Sequence, residues 1–109
     1  MSKVLNSKLT KAQKIERKAM IVHNPEMRLY PFLNAGAGAI VACKFPFPGA
    51  KIAQFAVAIC SPDEQKFRYK VGEFHAMQKL LDGQFLQVPC NGFDEMAMMA
   101  EKFANMVAF

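Results

Sequence analysis

Few residues of this chain have the chemistry of an active site. It holds two histidines, His23 and His75, and three cysteines, Cys43, Cys60 and Cys90. His75 lies in Phe74-His75-Ala76 beside an apolar helical stripe, where an imidazole reads as a boundary residue rather than a general base. The cysteines stand 17 and 30 residues apart, which fits no close-paired metal motif. They read as reduced thiols packed like small apolar side chains. Asp63/Glu64 and Asp94/Glu95 are adjacent acids, and each pair suits the first turn of a helix, where carboxylates meet free N–H groups. No Gly-x-Ser-x-Gly elbow and no His-Glu-x-x-His motif occurs. Asn34-Ala-Gly-Ala-Gly38 lacks the Lys-Ser/Thr of a phosphate loop and reads as a turn. These residues predict no enzyme, no cofactor and no metal.

Binding is the chemistry that remains. The net charge is +5, but it is uneven. Residues 1–30 carry seven Lys/Arg against two Glu, whereas residues 82–109 carry Lys102 against four acids. The basic part offers anions a positive field. Lys11, Lys14, Arg17 and Lys18 are the candidate contacts on a first helix, with Lys66 and Lys70 further along. These six would meet nucleic acid or an acidic protein partner. Aromatic and sulfur side chains form a second group. Phe45-Pro-Phe47-Pro is a stiff loop carrying two rings, and rigid aromatic groups anchor interfaces at low entropic cost. Phe45, Phe47, Tyr69, Met98 and Met99 are the candidate anchors.

The elements that position these groups follow from spacing and caps. With 109 residues and 52% hydrophobic content, the chain predicts one domain (10–109) preceded by a flexible basic arm (1–9). No apolar run is long enough to cross a membrane. The opening residues show no secretory pattern, so a cytoplasmic location is expected. Thr10-Lys-Ala-Gln13 is a capping box opening a helix, with Ala12, Ile15, Ala19 and Val22 as its apolar stripe. Pro25 ends it near Asn24. Arg28 to Leu33 is a short strand that Pro31 confines to a sheet edge.

Ala39 to Phe45 and Ile52 to Cys60 are strands joined by a long hairpin loop. The second is apolar almost throughout, as a strand covered on both faces would be. The hairpin predicts position 43 opposite residues 52–54, with Cys43 and Cys60 not facing each other. Ser61-Pro-Asp-Glu64 caps a helix running from about Pro62 to Asp82, stopped by Gly83. Its stripe is Phe67, Val71, Phe74, Met77 or Gln78, and Leu81. The alternation of residues 66–71 keeps a strand open as the competing assignment there. Phe85 to Val88 is a strand ended by Pro89. Asn91 caps a last helix, about Phe93 to Val107, that is apolar almost all round. A helix of that kind in so small a domain predicts cover by another chain, as a homodimer or a docked partner. The order is α-β-β-β-α-β-α, an α+β class with helices on one face of a small, mainly antiparallel sheet.

Ile59-Cys-Ser-Pro-Asp-Glu-Gln-Lys-Phe67, with Lys70-Val-Gly72 and Lys79-Leu-Leu81, resembles a pattern in small phage- and plasmid-encoded proteins of unknown role. The resemblance covers about 25 residues of the chain and implies an origin in a mobile element. The α-β-β-β-α order of residues 10–82 is also similar to a double-stranded-RNA-binding domain. That family's Lys-Lys-x-Ala-Lys helix start is missing here, with Lys66 and Lys70 a partial stand-in. Together these features predict a non-enzymatic binding protein, inhibitor-like, that engages a host nucleic-acid-handling or defence protein in the host cytoplasm. The alternative is a module binding DNA or RNA directly through its basic helix.

Overall fold

The computed structural model describes residues 9–34, 37–60 and 69–108. Its elements are α1 (Lys11–His23), β1 (Arg28–Asn34), β2 (Ala37–Lys44), β3 (Ile52–Cys60), α2 (Tyr69–Leu81), β4 (Leu86–Pro89) and α3 (Phe93–Ala108). The four strands make one antiparallel sheet in the order β1-β2-β3-β4. The α+β class and the element order are those expected.

Side-chain alternation along β2 and β3 builds two cores, one on each side of the sheet. Ala39, Val41 and Cys43 with Ala53 and Phe55 pack against Met96, Ala100 and Ala104 of α3. Ile40 and Ala42 with Ala56 and Ala58 pack against Ala76, Met77 and Leu80 of α2. The helices therefore lie on both faces of the sheet, not on one. Both faces of β2 and β3 are apolar, and one helix layer would leave the other face wet. Alanine faces alanine at several of these contacts, and the small side chains let helix and sheet approach closely.

The caps explain the helix limits. The Gln13 N–H donates to the Thr10 hydroxyl at 3.1 Å, and the Thr10 N–H donates to the Gln13 side-chain oxygen at 2.9 Å. This is the expected capping box. α2 ends in paired bonds from the Gly83 N–H to the Leu80 carbonyl and from the Gln84 N–H to the Lys79 carbonyl. Gly83 adopts a positive φ of 86° there, which other residues reach only with strain. α3 begins at Phe93, as expected, with Gly92 rather than Asn91 in the cap position. The Gly92 carbonyl accepts the first helical bond from Met96, while the Asn91 N–H donates to Glu95 Oε1.

Several local expectations shift. Tyr69-Lys70-Val71 is helical, which removes the strand assignment for those three residues. Residues 61–68, and with them the Ser61 cap and Lys66, lie outside the described residues. The buried ridge of α2 ends on Leu80, and Leu81 is exposed. Cys43 pairs with Phe55 and Gly38 with Cys60, so the hairpin register is one residue beyond the expected range and the two cysteines stay apart. Leu9, the last residue of the expected arm, is already buried, one residue before the expected start of the domain.

Candidate docking surface on the first helix

α1 lies against α2 and fully buries none of its own residues. Its inward side is Gln13, Arg17, Met20 and Asn24, all half-buried. Met20 reaches the core between the sheet and α2. Arg17 Nη2 donates to Glu73 Oε1 of α2 at 2.6 Å, and its Nε donates to the same oxygen at 3.2 Å. This pair fixes the rotation of α1. The expected apolar stripe consequently faces away from the core: Ile15 is 67% and Val22 72% exposed. The hydrophobic periodicity marked a real face of this helix, but that face meets solvent.

The cations expected on the helix divide accordingly. Lys11, Lys14 and Lys18 are exposed. Arg17 is not among the free cations, because Glu73 holds it. Lys70 is exposed on α2, one turn before Glu73 and so on the side of α2 that meets α1. Lys11 and Lys14 occupy the first turn of α1, where no acid balances them. Cations at the positive pole of a helix disfavour it by a few tenths of a kcal/mol each. Their field and that of the helix end add, and the sum attracts anions.

The expected anchors divide as well. Phe47 is 60% exposed at the tip of the β2–β3 loop. Phe45 turns back and meets Phe93 edge-to-face, with ring centroids 5.2 Å apart. The Arg28 guanidinium lies over the Phe93 ring, 4.5 Å from its centroid. On α3, Met98 is 61% exposed, whereas Met99 packs against the core under the helix. Phe45 and Met99 are therefore partly buried side chains packed against the α3 core. Tyr69 is the first residue of α2. Exposed Met98, Met106 and Val107 show that α3 is covered only on its sheet side.

A cleft of about 450 Å³ opens between the α1–β1 turn, the β2–β3 loop and the start of α3. Phe45, Phe47 and Phe93 line it with Lys44 and Lys51. His23 also lines this cleft, whereas His75 is half-buried with its ring 5.4 Å from that of Phe74. Among the described residues, no three His, Cys, Asp or Glu side chains are grouped to hold a metal ion. Cys43 and Cys90 are buried free thiols. Burial pushes the Cys43 thiol up to about 12, aided by neighbouring Cys90, and burial raises Cys90 too. Both thiols are thus held in their unreactive neutral form at ordinary pH.

No helix among the described residues is long and apolar enough to cross a membrane. No family model, curated protein or solved structure matches the chain.

Of the residues expected to meet a partner, Lys11, Lys14, Lys18, Phe47 and Met98 are exposed. The exposure of Ile15 and Val22 was not expected, because an apolar stripe on a capped helix is ordinarily core. The signal available was the competing stripe: Gln13, Arg17, Met20 and Asn24 recur at the same helical spacing.

Proposed function

We propose that the protein is a non-catalytic binding protein, and that the outward face of α1 docks on a protein surface that is both acidic and apolar. The observation that carries this reading is the exposure of Ile15 and Val22 beside Lys11, Lys14 and Lys18. Phosphates would use the lysines and leave the two branched side chains without a partner. An acidic protein surface with apolar side chains uses both. Phe47 and Met98 are further exposed apolar groups available to the same class of partner.

The narrower role, an inhibitor-like protein of mobile-element origin acting on a host nucleic-acid-handling or defence protein, is supported by the sequence resemblance. Charge adds a constraint to that role. The protein grooves that bind nucleic acid are basic and repel a cationic helix, so α1 would seat on an acidic part of such a partner.

Affinity capture from a host lysate tests the reading, using wild type and an Ile15→Asp/Val22→Asp variant, each with and without nuclease. A partner protein that survives nuclease and is lost with the variant is expected. Nucleic acid captured equally by both proteins contradicts it and favours direct binding. Three lysines neutralising phosphates would lose about 40-fold in affinity between about 50 and 200 mM salt. A partner seated on Ile15 and Val22 loses less.

A further inference from the structure

α1 and α3 carry the same spacing with opposite charge. On the outward side of α1, Ile15 follows Lys11 by four residues and precedes Lys18 by three. On the outward side of α3, Met98 follows Asp94 by four and precedes Glu101 by three. All six residues are exposed. Residues at these intervals share one helix face, and the two charges of each helix stand about 10 Å apart along its axis. One turn on, Val22 and Asn105 again occupy equivalent, exposed places.

Lysines and acids also sit on the same flank of their apolar residue. When two helices face each other antiparallel, like flanks meet, so Lys11 comes opposite Glu101 and Lys18 opposite Asp94. Ile15 then seats on Met98, whose unbranched side chain adapts to the contact. Lys102 lies on the other flank of α3, where α1 presents Ala12 and Glu16 and no lysine. Antiparallel helix dipoles favour the same arrangement.

Within one chain the two helices cannot meet, because α3 covers one face of the sheet and α1 flanks α2 on the other. We propose that α1 of one copy docks antiparallel on α3 of a second copy. The proposal rests on the docking role of α1 given above and identifies its acidic, apolar surface as this chain's own last helix. The contact is heterologous: the pair keeps one face of each kind free, one on each copy, so association continues into chains or closes as a ring. A single helix pair over about two turns buries less than the roughly 800 Å² per partner of a stable interface. Association is therefore weak, grows with concentration and falls with salt.

Sedimentation velocity on the full chain, from dilute to concentrated solution at low salt, tests this with two charge-reversed proteins. One is Lys11→Glu/Lys18→Glu, the other Asp94→Lys/Glu101→Lys, and circular dichroism checks that each is folded. Wild type should associate, each variant alone should stay monomeric, and their equimolar mixture should associate again. If Asp94→Lys unfolds α3, Glu101→Lys alone replaces that double variant. Wild type that stays monomeric when concentrated, or association indifferent to either variant, overturns the second copy. Titration with a separate acidic amphipathic helical peptide then separates the two ideas. A monomeric wild type that binds this peptide through Ile15 and Val22 keeps the docking face and loses only the second copy. One that binds neither loses both.

Discussion

α1 and α3 are both amphipathic helices of a chain with two apolar cores, yet they spend their apolar residues in opposite ways. α3 lays Met96, Ala100 and Ala104 on the sheet, one ridge at i, i+4 spacing, and turns Asp94, Met98 and Glu101 outward. α1 turns Ile15 and Val22 outward and contributes only Met20 to a core. Its attachment depends instead on Arg17 bound to Glu73, while a capping box holds its first turn. An apolar stripe thus marks a face that needs cover, and tertiary contacts decide whether the cover comes from within the chain. In α1 the stripe stays uncovered within the chain, with exposed lysines beside it, and this is the basis of the proposed docking face.

Substitutions can break or sharpen this contrast. Phe74→Ala removes one of the largest fully buried side chains and should destabilise by about 3–5 kcal/mol in chemical unfolding. That is much of the stability of an ordinary domain. Ala100→Leu overfills the close contact of α3 with the sheet and should cost about 1–3 kcal/mol. Thr10→Ala removes the capping hydroxyl of α1 and should cost about 1 kcal/mol. Arg17→Ala should cost about 1 kcal/mol or less, and less again at high salt, because the pair with Glu73 is partly exposed. Ile15→Ser with Val22→Ser should change stability by no more than about 0.5 kcal/mol each while abolishing partner binding. A cost of several kcal/mol at these two positions would place them in a core and erase the contrast.

Alkaline pH probes the α3 core. Cys43 is held neutral by burial, with its pKa raised from 9.0 to about 12. The folded state prefers the protonated thiol, so its contribution is complete below pH 9 and drains as pH rises towards about 12. Tyr30, also raised by burial, adds to the same alkaline loss. Unfolding midpoints followed from pH 8 to pH 11 should fall, and Cys43→Ala should flatten part of that fall.

The element order was legible because caps, prolines and periodicity agree along most of the chain. The expectation of helices on one face overlooks a signal in both central strands: residues 39–43 and Ile52–Cys60 are apolar on both sides, which calls for cover above and below. The rotation of α1 was not legible. Two stripes compete on that helix, and the contact that chooses between them joins residues 56 positions apart. Spacing along one segment carries no information about a distant Glu73. For the same reason Arg17 looked like a fourth free cation. Phe45 and Phe47 look alike in sequence, two rings among prolines, but Phe93 and Arg28 draw only one of them inward.

The central claim is that Lys11, Ile15, Lys18 and Val22 form a docking face. Backbone amide shifts, followed by NMR while an acidic amphipathic helical peptide is added, test it most directly. Shifts concentrated on α1 between Lys11 and Val22, and lost in the Ile15→Asp/Val22→Asp variant, are predicted. Shifts centred on the Phe47 loop and its cleft, with α1 unmoved, would contradict it.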